Sequence, residues 1–150
     1  MEYKHYIQEL PPASELDQIF RLNQEIFGNL NKESILSSLK KKENASIFLA
    51  IDESVIAYKI GYERKSGHYY SWLGGVSPAY REKGIASTLM KKQHDWCLQT
   101  GYQSIQTKTK NKWKGMLILN LKYGFDIIGT YTDEKGEPKI ILQKILREKL

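Results

Sequence analysis

The segment 74–90 constrains the fold of this 150-residue chain most, because it joins a strand to a helix through one tight loop. The aromatic-rich run 69–76 predicts a strand, and the pair Gly74-Gly75 within it is typical of a bulge or of close backbone approach. After Gly84, apolar residues recur at helical spacing. A helix that begins directly after a loop leaves N–H groups without acceptors, and its dipole adds positive potential. The segment therefore predicts a site for a phosphate group.

The residues at the start of this helix fit a pyrophosphate. Gly84 permits close backbone approach, and the small residues Ala86 and Ser87 keep the entrance open. Two nucleotide-binding motifs are excluded: the chain has no Gly-x-x-x-x-Gly-Lys-Ser/Thr loop, and no Gly-x-Gly-x-x-Gly follows an early strand.

The remaining patterns predict a single domain over residues 1–150. The predicted strands are 3–10, 46–51, 55–63, 69–76, 104–110, 124–131 and 138–146, and the predicted helices are 15–27, a short one after Asn31, 84–99 and 112–123. Ser14 is predicted to cap the first helix, with Asp17 in the capping-box place. Alternation in the third strand predicts one apolar face, made of Ile56, Tyr58, Ile60 and Tyr62. This order of elements predicts an α/β fold with a mixed sheet.

Positive charge is concentrated in one part of the chain. Residues 81–122 hold nine basic and two acidic side chains, a net charge of +7 in a chain whose total is +6. Such a stretch attracts an anion, whether nucleic acid, a lipid headgroup or a phosphorylated cofactor, although exposed lysines can also serve solubility alone.

Composition excludes several classes of protein. With 41% hydrophobic residues and 4 prolines, the chain is neither collagen-like nor wholly disordered. No apolar run approaches the roughly 20 residues of a membrane helix, and no signal segment follows Met1, so we expect a cytoplasmic protein without membrane association. The single cysteine, Cys97, falls on an apolar helical stripe and is expected in the core. No Cys/His cluster has zinc spacing, so we expect no metal.

The run from Val76 to Met90, Val-Ser-Pro-Ala-Tyr-Arg-Glu-Lys-Gly-Ile-Ala-Ser-Thr-Leu-Met, resembles the acetyl-CoA-binding motif of the GNAT superfamily of N-acetyltransferases. That motif is usually Val-x-Pro-x-x-Arg/Gln-x-x-Gly-Ile/Leu-Gly/Ala. The element order and the sequence Leu-Lys-Tyr-Gly-Phe at 121–125 are also similar to the family. The resemblance implies a GNAT-like mixed, mostly antiparallel sheet of about seven strands. Four helices would flank this sheet, and two of its strands would splay apart at the acyl-CoA site.

The resemblance also implies which residues bind the cofactor. Backbone groups of Gly74, Gly75 and Val76 would bond the pantetheine arm, and an N–H near Val76 would stabilise the oxyanion. Amides of the loop and first helical turn would hold the CoA pyrophosphate, with Arg81 opening the loop. These loop residues are Glu82, Lys83, Gly84, Ile85, Ala86 and Ser87.

Two departures from the family pattern affect the expected mechanism. Asn120 stands where many members carry a tyrosine proposed to protonate the CoA thiolate, and we expect a catalytic role there in which its amide donates a hydrogen bond but does not act as an acid. Tyr123, nearby, is expected in the core or at its rim. Trp113 takes the place of a frequent asparagine, and Asn111, two residues earlier, either contacts the cofactor or caps the helix.

No carboxylate occupies the place of a general base, which corresponds to about Tyr70. Tyr70 either lines the acceptor pocket, where it would polarise a water, or packs in the sheet. His68 is expected to be a solvated loop residue. Because the chain offers no credible nucleophile, we expect direct attack by a bound amine rather than a covalent enzyme intermediate.

The resemblance implies an acetyl-CoA-dependent N-acetyltransferase that acts on a primary amine of a small molecule or peptide. The first two helices and strand segment 58–62 would wall the acceptor site, and their aromatic character argues against a polycationic acceptor. One alternative is a non-catalytic acyl-CoA-binding or sensor module of the same fold. A third hypothesis, nucleic-acid binding, lacks the aromatic-plus-basic motif of common RNA modules. The sequence leaves open whether the chain forms a homodimer through a sheet edge or its last strand.

Overall fold

In residues 1–28 and 31–147, which the computed structural model describes, the chain forms seven strands and four helices in the predicted order. The strands are β1 (Glu2–Ile7), β2 (Ser46–Asp52), β3 (Ser54–Lys65), β4 (His68–Val76), β5 (Ser104–Lys110), β6 (Asp126–Thr132) and β7 (Pro138–Ile145). The helices are α1 (Ala13–Phe27), α2 (Lys32–Lys41), α3 (Ile85–Thr100) and α4 (Lys114–Lys122), with a single 3-10 turn at Pro78–Tyr80. None of the described helices is long and apolar enough to cross a membrane.

All seven strands form one sheet in the order β1-β2-β3-β4-β5-β7-β6. Every neighbouring pair is antiparallel except β4 and β5, which run parallel and are connected by the crossover helix α3. The prediction of a mixed, mostly antiparallel sheet flanked by four helices is confirmed.

Strands β4 and β5 separate after a short stretch of pairing. The pairs run from His68 opposite Ser104 to Ser71 opposite Thr107. Beyond Ser71, β4 continues to Val76 alongside β3 only. The sheet therefore opens between the ends of β4 and β5, as the resemblance implied.

The two faces of the sheet are covered by different helices. On one face, Ile19 of α1 and Leu39 of α2 join a buried cluster with Tyr58 of β3. On the other face, α3 buries Ile85 against β2 and β3 and Cys97 against β5 and β7. Cys97 is fully buried, as predicted, and burial raises the pKa of its thiol.

Strand β3 is buried on both faces. The prediction that Tyr58, Ile60 and Tyr62 share one face is confirmed, but its assignment of Ile56 to that face is wrong. Its pairing with β2 shifts register at Ile56, which no β2 residue opposes. This bulge leaves Ile56 and Ala57 in the cluster under α3, while Tyr58 and Ile60 pack under α1. A central strand between two helical layers needs apolar side chains on both sides, and a bulge breaks the period of two.

Two predicted boundaries are also wrong. The first strand ends at Ile7 rather than Leu10, because Gln8 has a left-handed φ of 53° and leaves the sheet. Ser14 lies inside α1 and does not cap it, since Pro12 is the N-cap residue and its carbonyl accepts from Leu16 N–H at 3.0 Å. Proline is tolerated at this position, because the N–H that it lacks would have no acceptor within the helix.

Candidate active site

The loop before α3 passes twice through left-handed backbone. Glu82 has φ 63°, and Gly84, the N-cap of α3, has φ 76°. Such turns bring backbone N–H groups together into a concavity that suits an anion. The first backbone bond into α3 runs from Thr88 N–H to the Gly84 carbonyl at 3.0 Å. The N–H groups of residues 85–87 therefore begin the helix without an intrahelical acceptor.

Arg81 ties this loop to the sheet. Its Nε donates to the carbonyl of Val76, the last residue of β4, at 3.2 Å. Arg81 and Lys83 are both exposed beside the free amides. The loop thus combines a fixed shape with positive charge, as a phosphate site requires.

The first turn of α3 anchors the loop from the other side. The Ile85 side chain is buried in the core, whereas Ala86 borders the neighbouring cleft. The hydroxyls of Ser87 and Thr88 donate to the Gly84 carbonyl at 3.1 and 2.8 Å. These bonds leave the backbone N–H groups, rather than the hydroxyls, to meet a ligand.

A narrow cleft leads from the loop to the place where β4 leaves β5. Strands β3 and β4 and helices α3 and α4 border it. The lining includes Lys59, Gly74, Gly75, Ala86, Met90 and Leu119. The cleft therefore connects the start of α3 with the splayed strands.

The glycine pair leaves room for two side chains of β3. A Cβ on Gly75 would lie 2.7 Å from Ile26 Cδ1 and 3.3 Å from the Tyr58 hydroxyl. A Cβ on Gly74 would lie 3.8 Å from Lys59 Cγ. Because Tyr58 and Lys59 are consecutive strand residues, they flank β4 on opposite faces.

Both β3 side chains carry unusual polar groups. The Tyr58 hydroxyl is buried with no hydrogen-bond partner among the described residues, and burial raises its pKa. Loss of hydration lowers the pKa of the Lys59 ammonium to about 8. A buried hydroxyl without a partner is uncommon. Lys59 is partly buried and also lines the cleft, so the two residues together mark the cleft as a place for a ligand.

The two predicted catalytic residues lie on different elements. Asn120 is buried near the end of α4, where its carbonyl accepts from Phe125 N–H at 3.0 Å. Tyr70 lies on β4, with its ring edge-on to that of Tyr62 at 5.4 Å between centroids. Burial raises the pKa of Tyr70, so its phenol stays protonated near neutral pH and is a poor general base.

Three further residues singled out in the sequence can be placed in the structure. Asn111 does not cap α4, because the N-cap residue is Trp113, two residues later, and the helix begins at Lys114. His68 is not a solvated loop residue: it opens β4, and its Nδ1 lies 2.6 Å from the Ser104 hydroxyl. Tyr123 packs at the rim of a buried cluster, as predicted.

Aromatic rings collect on the sheet near Tyr70. Tyr62 packs edge-on against Trp72 at 5.6 Å. The Lys108 ammonium lies 5.7 Å from the centre of the Tyr70 ring and 5.1 Å from that of Tyr131. The expected aromatic wall thus includes β4 and β6 as well as segment 58–62 of β3.

Sequence analysis missed Lys59 as a site residue. The sequence does contain an indication: Lys59 is the one charged residue in the run 55–61, and the structure shows that every other residue of this run is buried. Among the described residues, no three His, Cys, Asp or Glu side chains converge as a metal site would need.

Comparison with known proteins supplies the family and the fold. A model of the acetyltransferase (GNAT) family matches residues 9–116. The ribosomal-protein-S18-alanine N-acetyltransferase of Escherichia coli is similar in structure, with TM-score 0.81, 13% identity, and coverage of 99% of this chain and 97% of the other. Ard1 from Thermoplasma volcanium is similar too, with TM-score 0.80, 18% identity, and coverage of 96% and 99%. A NatC complex bound to Gag peptide and CoA gives TM-score 0.79, 14% identity, and coverage of 98% and 100%. No curated protein sequence matches the chain.

Proposed function

The chain belongs to the GNAT acetyltransferase family, and on that premise we propose that it is an acetyl-CoA-dependent N-acetyltransferase acting on a primary amine. The observation that carries the proposal is the path from the free amides of residues 85–87 into the glycine-lined cleft at the splayed strands. An anion site that opens into a narrow, largely apolar cleft suits a ligand with a diphosphate and a slender arm. Coenzyme A has this form.

The residues of the site fit an acyl-CoA. The amides of residues 82–87 would hold the pyrophosphate, and Arg81 would keep their loop against β4. Backbone groups of residues 74–76, on the β4 edge that β5 leaves unpaired, would bond the amides of the pantetheine arm. The unpartnered Tyr58 hydroxyl offers one further polar contact. Asn111, exposed and free of a capping role, would contact the cofactor from the start of α4.

Bound acetyl-CoA would supply an activated acetyl thioester. The chain would contribute mainly positioning and electrostatics: an N–H near Val76 would face the carbonyl oxygen, and removing such a donor typically costs about 3 kcal/mol. Cys97 is fully buried and burial raises its thiol pKa, which supports direct attack by the amine over a cysteine intermediate. Tyr70 would line the acceptor pocket as a neutral phenol, and Asn120 would donate a hydrogen bond from its side-chain amide to the bound thioester.

A second candidate is a non-catalytic acyl-CoA sensor. It is favoured by two departures from the family pattern: Asn120 stands where many members have a tyrosine, and no carboxylate stands in the place of a base. Asn120 would then only orient the bound thioester through its amide.

Release of CoA thiol across a panel of amines distinguishes the two candidates. The panel contains amino acids, small polyamines, aminoglycosides and short peptides with free N-termini, each with acetyl-CoA and the full chain. We expect amine-dependent thiol release, reduced in Tyr70→Phe and Asn120→Ala. Binding of acetyl-CoA with no release from any amine would favour the sensor. Unchanged turnover in both variants would contradict the roles given to Tyr70 and Asn120.

A further inference from the structure

Lys59 projects into the cleft from the α3 side of β3. Its neighbours two residues away both face α3: Ala57 packs with Ile85, and a Cβ on Gly61 would lie 3.1 Å from Gln93 Nε2. Lys59 shares this face, and its Nζ would lie 3.9 Å from a Cβ on Gly74. The ammonium therefore reaches over the glycine of β4 that the acyl-CoA arm would follow.

No carboxylate pairs with this ammonium. Within residues 1–28 and 31–147, Lys59 has no ion pair, hydrogen bond or ring contact, although it is partly buried. The helices beside it offer apolar groups, including Leu89, Met90 and Met116. A partly buried ammonium among apolar side chains gains from an opposite charge, and the described residues do not supply one, so an anion on a bound ligand would be its partner.

Titratable groups packed around Lys59 do not supply that anion. From α3, His94 is buried and neutral, since burial lowers its pKa to about 3. From β7, Lys144 donates to His94 Nδ1 at 3.1 Å and carries the same charge as Lys59. Tyr58, beside it on β3, is a phenol whose pKa burial raises. All of these leave the cleft positive.

One negative charge develops in this region during the proposed reaction. The phosphates of CoA are assigned to the loop before α3, and its pantetheine arm is neutral. The developing charge lies first on the carbonyl oxygen, which is assigned to an N–H near Val76, and then on the sulfur, when its bond to the acetyl carbon breaks. We propose that Lys59 is the catalytic residue that stabilises and protonates this sulfur, in place of the tyrosine absent at Asn120; the inference rests on the proposed function.

The proposed step balances without another reactant. The amine nitrogen forms a bond to the acetyl carbon, the carbon–sulfur bond breaks, and the sulfur keeps its electron pair. Lys59 Nζ gives a proton to the sulfur, so the products are the amide and CoA thiol. The amine nitrogen loses its extra proton to water, and Lys59 takes one back from water.

The ionisation of bound CoA thiol tests this role without turnover. The ultraviolet absorbance of the thiolate is followed against pH for CoA bound to the full chain, with the desulfo-CoA complex subtracted to remove protein signals such as Cys97. We expect a larger thiolate fraction than in free CoA at the same pH, because a nearby ammonium favours the anion. In Lys59→Met we expect this fraction to fall about tenfold, a 1.4 kcal/mol difference, and Lys59→Arg should restore part of it.

Lys91→Met is the matched control, because Lys91 is an exposed lysine of α3 that pairs with Asp95 at 2.8 Å. It should keep the wild-type thiolate fraction. A wild-type complex whose thiol ionises like free CoA overturns the inference, whatever the variants do. Equal thiolate fractions in wild type and Lys59→Met overturn it as well. Failure of the wild-type chain to bind CoA contradicts the proposed function itself.

Discussion

At the residue scale, the site depends on backbone positions where a side chain would be costly. Gly84 combines a left-handed φ of 76° with a place at the mouth of the phosphate loop. Gly136 has nearly the same backbone, φ 78°, but lies in the turn between β6 and β7. No atom comes within 4 Å of a Cβ built on Gly136. Alanine substitutions at these two glycines therefore distinguish the cost of backbone strain, which both share, from a clash with a bound ligand, which only Gly84 would produce.

Gly84→Ala should weaken CoA binding at least about tenfold, while Gly136→Ala should leave it unchanged. Both variants should lose roughly 1 kcal/mol of stability, because alanine is strained at positive φ. Only at Gly84 does the added methyl group stand where a phosphate would meet backbone amides. Calorimetric titration with CoA measures the first effect and chemical denaturation the second. Equal CoA affinities in the two variants would argue against the phosphate loop.

His94 should make the fold sensitive to acid. Burial lowers its folded-state pKa to about 3 from an ordinary 6.5. Above pH 6.5 the histidine is neutral in both states, and its contribution to stability is complete. As pH falls toward 3, His94 becomes protonated in the unfolded chain but stays neutral in the folded chain. The free energy of unfolding therefore drops by up to about 1.4 kcal/mol per pH unit. Urea denaturation between pH 7 and 4 should show a flatter pH dependence in His94→Gln than in wild type; parallel curves would contradict this assignment.

At the element scale, a bulge in β4 determines how the strand approaches the site. Pairing with β3 shifts register where Ile60 opposes Leu73 and Gly61 opposes Ser71, which leaves Trp72 unpaired. The bulge lies two residues before the glycine pair, at the end of the β4–β5 pairing. Bulges of this kind redirect a strand, and here the redirected segment borders the cleft.

Gly61→Ala should destabilise the protein by about 1–3 kcal/mol, the usual cost of overpacking a core. A Cβ at this position would lie 2.6 Å from the Tyr70 carbonyl and 2.6 Å from Tyr69 Cε2, and backbone cannot move aside cheaply. Gly74→Ala is the matched control, because its Cβ would meet atoms only at 3.5 Å or more. Urea denaturation compares the two. Similar stabilities would mean that the bulge is not packed as described.

Sequence alone was sufficient for the order of elements, which follows from local periodicity along the chain, and for the turn before α3, which follows from the residues around Gly84. It could not reveal that Ile56 and Trp72 are bulge residues, because register is decided by the partner strand. Nor could it show that Tyr58 and Lys59 flank the glycine pair, which depends on how β3 aligns with β4. Asn111 was ambiguous because its side chain suits an N-cap, whereas the N-cap residue of α4 is Trp113, two residues later.

At the scale of the whole molecule, the sheet has two parts that share a short seam. Clusters under α1, α2 and the start of α3 stabilise strands β1 to β4, whereas a cluster including Phe125 and Leu142 stabilises β5 and β7 and also contains Tyr69 of β4. The seam is the β4–β5 pairing, which ends at Ser71. A ligand in the cleft would touch α3 and α4, one from each side of the opening. The proposed cofactor would therefore bridge the two parts.

The most direct test of this account is calorimetric titration of the full chain with acetyl-CoA, with CoA and ATP as comparators. ATP shares the charged phosphates but lacks the pantetheine arm that the cleft between β4 and β5 would hold. We predict one site per chain, with acetyl-CoA and CoA binding at least about tenfold, or 1.4 kcal/mol, more tightly than ATP. Absence of binding by either CoA species, or equal affinity for ATP, would contradict the assignment of the loop and cleft to an acyl-CoA.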